Sequence, residues 1–200
     1  MALTAPPFTV PLPRAPFERG SDPAAWYERV LGWTVAGGPP GQLVTGVRFD
    51  VLELPADAGA AVLRRPVATG PVAVTGRRMR FLVAAGAADE LEGLLDWLEW
   101  GGVALDLAAL GAGGRITAPV PPGHPVEAEG SPRGAAVWLR PPEQGCEALL
   151  PALPAPGQGS GPARGPDLVR LVAAAATECH RTRLGRTVRT GRTDQAVAFS

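Results

Sequence analysis

Residues 47–54 read VRFDVLEL, a run of apolar and β-branched residues carrying two acids. Such a composition fits a pleated, half-buried strand. Side chains alternate along a strand, so Asp50 and Leu52 share one face while Glu53 points to the other. An acid at this place in a buried strand is where a metal-binding carboxylate would stand. The question is whether Asp50 belongs to an active site or is a remnant of one.

Working outward, the stretch LVTGVRFDVLELP at 43–55 is extended and broken at Gly46, and ADAGAAVLRR after it suits a short helix. GPVAVTGRRMRFLVAAG at 70–86 reads as two strands around a turn at Thr75-Gly76. Met79, Phe81 and Val83 then lie on one face and Arg78, Arg80 and Leu82 on the other. ADELEGLLDWLEWGG places Leu91, Leu94, Leu95 and Leu98 at helical spacing, with Gly101-Gly102 as the stop. Trp97 and Trp100, near the end of that helix, are read as closing off the core, with a base-stacking surface as the alternative.

VALDLAAL, GRITAPV and GAAVWLRPPE look like strands. SDPAAWYERVLGW predicts a helix over about 23–31 with Asp22 as N-cap and Pro23 at the first position. Hairpins mixed with helices, rather than a regular strand-helix alternation, predict an α+β fold: a mixed, largely antiparallel sheet with flanking helices. The expected organisation is an irregular Pro-rich leader at 1–20 and an α+β domain at 21–150. A Pro/Gly linker follows at 151–166, a C-terminal helix at 167–184, and a basic flexible tail at 185–200.

The chain has 200 residues, 46% of them hydrophobic, enough for one domain with a short annex. No apolar run approaches a membrane span, and MALTAPPFTVPLPRAP has neither a basic start nor an unbroken apolar stretch. The expectation is a cytoplasmic protein with no membrane partner. Nineteen basic residues balance nineteen acids, so there is no overall field to attract nucleic acid. Every basic residue is Arg, and with 26 Gly and 23 Pro this is the usage of a GC-rich genome. Cys146 and Cys179 lack a CxxC or CxxH partner and suggest neither a zinc site nor a disulfide framework. GxxxxGK[ST], GxSxG and HExxH are absent. His124 and His180 have no partner in sequence, and LGAGGRI fails the GxGxxG spacing.

Three stretches in order remain: RFDVLEL, TGRRMRFLV and ALDLAALGAGGRITAPVPPG. Together they resemble the N-terminal domain of the bifunctional DNA primase/polymerase (prim-pol) family of the archaeo-eukaryotic primase superfamily, over roughly residues 40–145. Phe49-Asp50-Val51-Leu52 stands where the family has Leu-Asp-Val-Asp. Thr75-Gly76-Arg77-Arg78-Met79 stands at a Ser-Gly-Gly-x-His strand. Leu105-Asp106-Leu107, Gly113-Gly114-Arg115 and Ala118-Pro119 stand at a third Asp, a Gly-Gly-Tyr turn and a Pro-rich end. AAVWLRPP at 135–142 resembles the Tyr-x-Trp strand that follows. The resemblance implies an RRM-like catalytic core, an actinobacterial origin and a connection to DNA replication.

Two-metal phosphoryl transfer needs carboxylates from separate strands to converge on two divalent ions. In the family the Asp pair and the third Asp supply them, so the resemblance implies Asp50 and Asp106 as the residual catalytic and metal-binding acids, with magnesium or manganese as the ion. Leu52 replaces the second acid and cannot coordinate a hard cation. Met79 replaces the histidine and offers no donor to a phosphate. The reading is a degenerate, catalytically silent domain that binds nucleotide or DNA, or serves as a regulatory module with a protein partner. Thr75, Gly76, Arg77, Arg78, Arg80 and Arg115 are its candidate nucleotide or nucleic-acid contacts, because an Arg fork suits phosphate.

Without the resemblance, Asp50 is a capped or solvent-exposed strand end, Asp106 a strand-edge acid meeting an arginine such as Arg115, and the arginines are solvated. The alternatives are an active primase/polymerase that recruits Glu53 or Asp57 as a further ligand, and a protein-interaction adaptor whose leader PPFTVPLPRAP binds partners.

Overall fold

The structure is a computed structural model; it describes residues 23–38, 40–124, 135–154 and 166–197, with 187–197 described as backbone. The Pro-rich leader, Asp22 and most of the linker lie outside the described residues.

Two antiparallel sheets form the frame. The smaller has order β1-β2-β7, from β1 (Val35–Ala36), β2 (Gln42–Val44) and β7 (Arg115–Thr117). The larger has order β6-β3-β5-β4-β8. Its strands are β3 (Asp50–Pro55), β4 (Val72–Thr75), β5 (Arg78–Val83), β6 (Ala108–Leu110) and β8 (Val137–Arg140). Helices α1 (Pro23–Trp26, running on as a π turn over Tyr27–Leu31), α2 (Ala56–Leu63), α3 (Leu91–Trp97) and α4 (Leu168–Val197) flank them. The α+β class with flanking helices is therefore as the sequence predicts, whereas the division into two sheets was not anticipated.

The alternation in 47–54 works as read. Across β3 and β5, Leu52 pairs with Phe81 and Leu54 with Met79, and these four face the helices. There they join Ala58 and Val62 of α2, Leu91 and Leu94 of α3, and Leu168, Leu171, Val172 and Cys179 of α4. Burying a side chain such as Leu54 contributes about 1.5–3 kcal/mol. Helix α2 comes so close to the sheet that a Cβ on Gly59 would lie 2.4 Å from the Met79 sulfur. Only glycine fits that crossing.

On the opposite face Val51 pairs with Leu82. They pack with Tyr27, Leu31, Trp33, Leu43, Phe49 and Ile116, so the small sheet and α1 cover that half of the large one. The rest of this face, Glu53 opposite Arg80 and Pro55 opposite Arg78, lies beyond the apolar cover. Gly46 makes the bend between the sheets at φ 87°, with Ala112 backbone 2.3 Å from where a Cβ would stand.

Four boundaries differ from expectation. In VALDLAAL only Ala108–Leu110 is strand, because the pairing with β3 stops at Glu53, before β3 itself ends. Helix α3 ends at Trp97, and Glu99 takes a φ of 63°. The expected flexible tail is helical backbone as far as Val197, a continuation of α4. Residues 151–154 pack on the domain rather than leaving it: Ala84 N–H donates to Pro151 O at 3.0 Å, and Ala152 bridges Asp167. Asp167 caps α4, its Oδ1 accepting Val169 N–H at 2.8 Å. Among the described residues, no helix is long and apolar enough to cross a membrane.

Candidate functional site

Asp50 begins β3 on the helix-facing side and is fully buried. Its Oδ2 accepts the Ala88 N–H at 2.9 Å, tying the segment that leads into α3 to the sheet. Its Oδ1 has no hydrogen-bond partner among the described residues. A Cβ on Gly111 would stand 3.6 Å from Oδ2, so the turn after β6 closes over the carboxylate. Of the two readings for Asp50, the capped strand end matches this geometry and the solvent-exposed one does not. Leu52 (1% exposed) and Met79 (3%) occupy the same face as hydrocarbon and thioether under α2 and α4.

Asp106 lies elsewhere. It precedes β6, is 55% exposed in its side chain, and receives a hydrogen bond from Arg78 Nη1 at 2.6 Å. Arg78 stands opposite Pro55, at the far end of β3 from Asp50 and on the other face. Five residues of strand separate those ends by about 16 Å. Two acids so placed cannot share a pair of ions a few ångström apart. Among the described residues, no three His, Cys, Asp or Glu side chains come together in a way that could hold a metal. The residues present do not fit the divalent-metal pair that the family resemblance implies.

The arginines are engaged. Glu53 accepts Arg78 Nε on Oε1 at 3.0 Å and Arg80 Nε on Oε2 at 2.7 Å. Arg80 Nη1 donates to Thr75 Oγ1 at 3.1 Å. Asp106 completes the set on Arg78, so two guanidinium groups face two carboxylates and their charges cancel locally. Burial works to lower the Arg78 pKa, but the Asp106 and Glu53 carboxylates outweigh it and the pKa is raised. The Arg78–Arg80 fork expected to grip phosphate is already closed on acids of the same chain.

Gly76 and Arg77 form the exposed tip of the β4–β5 turn, where Arg77 O accepts Ala56 N–H at 2.8 Å. Arg115 is on the small sheet opposite Val44. The acid at 106 meets Arg78 rather than Arg115. The structure thus gathers Thr75, Arg78, Arg80 and Asp106, leaves Arg77 and Gly76 at the rim, and puts Asp50 and Arg115 elsewhere.

Glu53, which the sequence puts on the face opposite Leu52 and offers only as a further metal ligand, is the hub of this ion-paired set. Its signal was present, because an acid on β3 and arginines on the matching face of β5 pair once the register is known. A second polar set also escaped notice. Tyr27 OH donates to Pro119 O at 2.6 Å and accepts from Trp138 Nε1 at 2.8 Å, and Trp33 Nε1 donates to Glu147 at 2.6 Å. Burial raises the Tyr27 pKa, so the phenol stays protonated and these bonds are structural.

The α3 surface departs furthest from expectation. Trp97 does not close the core: it is 71% exposed. Trp100 is half-buried, its ring 5.5 Å from that of His180. Asp89, Glu90, Glu92, Asp96 and Glu99 are all exposed, and among the described residues none of them has an ion-pair partner.

Comparison of the chain with protein-family models, with curated proteins and with solved structures finds no match in any of the three.

Proposed function

We propose that this chain is a non-catalytic α+β module of primase/polymerase type, related in its sheet and motif order to enzymes of DNA replication and acting in the cytoplasm as a binding or regulatory domain. One observation carries the silent half of that reading. Asp50 is sealed beneath the turn after β6 with Leu52 next to it on the same face, Met79 lies farther along that face opposite Leu54, and Asp106 is about 16 Å away in an ion pair with Arg78. An enzyme of this class needs those acids to converge.

The binding half favours a protein over a nucleotide. Glu53 and Asp106 occupy the fork that a triphosphate would need, and only Arg77 projects from the turn. The contrary reading is an active enzyme or a nucleotide-holding remnant with magnesium or manganese at Asp50 and Asp106. It requires the loop over Asp50 to open and Arg78 to release Asp106.

Thermal unfolding with and without manganese plus a nucleoside triphosphate tests the proposal, with Asp50→Ala in parallel and primer extension alongside. A ligand at about a hundred times its dissociation constant adds about 2.7 kcal/mol, a visible shift. The expected result is an unmoved midpoint and no extension. A shift in the wild type that Asp50→Ala abolishes would overturn the proposal.

A further inference from the structure

We propose that the apolar groove beside β1 is the seat of the chain's own Pro-rich leader, with residues 8–17 as its occupant. The groove encloses about 500 Å³, within the range of pockets that bury a ligand. Pro23 and Ala24 at the start of α1 form one wall. Val35 of β1 and the glycine-rich turn after it form a second, and the residues after β7, Ala118 to Val120, a third. Hydrogen bonds fix these walls. Ala118 N–H donates to Gly41 O at 2.9 Å, Tyr27 OH to Pro119 O at 2.6 Å and Val120 N–H to Ala136 O at 3.0 Å.

Three observations select the occupant. The first is the lining, in which every residue is Gly, Ala, Val or Pro, so no side chain there recognises a charge or donates a hydrogen bond. A nucleotide or nucleic-acid strand, whose phosphates call for cations, finds none in it. An apolar guest suits it, and an extended one in particular, because β1 is the outermost strand of the small sheet. The second is where the described chain starts. Pro23 is its first residue and itself lines the groove, so the leader runs out from the groove's own wall. Residues 18–22 read ERGSD, a polar spacer containing a glycine. Five residues span at most about 17 Å, which keeps Phe17 within reach of the groove. The third is composition: fourteen of residues 1–17 are apolar or Pro, and Arg14 is the one charged side chain among them. Phe8, Val10, Leu12 and Phe17 gain by leaving water. The prolines between them favour an extended segment and so lower the entropy cost of seating it. The tether holds the segment at an effective concentration of about millimolar.

The leader is then the groove's built-in ligand, and an outside apolar, Pro-rich segment enters only by displacing it. Neither Asp50 nor the Glu53, Arg78 and Asp106 set lines this groove, so the manganese and triphosphate test and the test of the leader are independent.

The experiment uses the full chain labelled with carbon-13 and nitrogen-15. Cross-relaxation is expected from the Phe8 and Phe17 rings to the methyl groups of Val35, Ala118 and Val120. Phe8→Ser with Phe17→Ser, both outside the described fold, is expected to shift the amide signals of Gly37, Gly38 and Gly41 while the indole signals of Trp33 and Trp138 stay in place. A capped peptide of residues 1–20 is expected to bind this double variant about tenfold more tightly than the parent, where the tethered segment competes.

Rings that contact none of these methyl groups, or glycine signals that the double variant leaves unmoved, would overturn the proposal. Equal binding of the peptide to parent and variant would do so as well, because nothing would then be seated in the parent. So would ring-to-methyl contacts between labelled and unlabelled chains in a mixture of the two, since the groove would then belong to a second copy of the chain.

Discussion

The molecule holds its charge in two opposite ways. At the open end of the large sheet, Arg78 and Arg80 are enclosed by Glu53, Asp106 and Thr75, with Arg78 Nε, Nη1 and Nη2 and Arg80 Nε and Nη1 each donating to an acceptor. On α3 and just beside it, Asp89, Glu90, Glu92, Asp96 and Glu99 are exposed and, among the described residues, have no ion-pair partner. A count of charges along the chain would rank the arginine cluster as the binding surface and the acidic helix as mere solvation. The geometry reverses that ranking, because what a surface can offer a partner is its unpaired charge.

The severest challenge to this contrast is a charge placed where neither arrangement exists. Leu52→Asp restores the acid that the primase/polymerase resemblance lacks, but at a position 1% exposed and packed against α2 and α4. The expected outcome is a loss of more than about 4 kcal/mol, enough to unfold a domain of ordinary stability, since the carboxyl gains no partner there. Manganese should not rescue it. A folded Leu52→Asp variant that manganese stabilises, by calorimetry, would show that the helix face opens and would restore the case for a metal site.

Glu53→Gln tests the closed set itself. Glu53 and Arg80 are 19% and 15% exposed in their side chains, so the bond between them is only partly screened. Removing the hub leaves two cations without their main acceptor, and a loss of about 2–3 kcal/mol is expected in denaturant unfolding. The variant should also gain something, weak binding of inorganic triphosphate that the parent lacks, because the fork is released. If stability falls and no anion binds, the arginines are structural in every state.

How much of this was legible in the sequence divides along sequence separation. The hairpin at Thr75-Gly76, the facing of Met79, Phe81 and Val83, the helix-spaced leucines of α3 and the break at Gly46 all follow from local period and turn chemistry. The Glu53–Arg80 pair does not, because it depends on the register of strands 27 residues apart. Trp97 misled because the helical spacing that buries Leu91 and Leu94 turns Trp97 outward, and α3 ends before another turn could bring cover over it. The fate of Asp50 was hidden because its closure comes from Ala88 and Gly111, both distant in sequence. The small sheet was missed because its strands have two or three residues, too few to show alternation.

The closed set also reaches a thiol. Cys179 is buried on α4 and its Sγ lies 3.6 Å from the Asp106 carbonyl oxygen. Burial first, and the Asp106 charge second, push its pKa up to about 12. A thiol raised above its unfolded value of about 8.5 stays protonated in the native chain while the unfolded chain ionises. Its contribution to stability is therefore intact below pH 8.5 and is lost as pH rises toward 12. Between pH 6.5 and pH 9.5 the parent should lose about 1 kcal/mol more than Cys179→Ala, measured by unfolding at those two pH values. Parallel pH curves for the two proteins would mean that solvent reaches the thiol.

The smallest effect is expected on α3, and its sign matters more than its size. Glu92 and Asp96 are one helical turn apart, and like charges at that spacing destabilise a helix by about 0.2–0.5 kcal/mol. Asp96 also stands in the last turn of α3, where the helix dipole disfavours an acid. Asp96→Asn should thus raise stability by a few tenths of a kcal/mol, and added salt should narrow the gap between variant and parent by screening the repulsion. Glu53→Gln goes the other way, which is the contrast stated as an experiment: one acid holds the fold together and the other works against it. A fall in stability for Asp96→Asn would mean that this carboxylate has a structural partner, and the α3 surface would lose its claim to be open. A rise would mean that the helix carries an acid its own folding does not need.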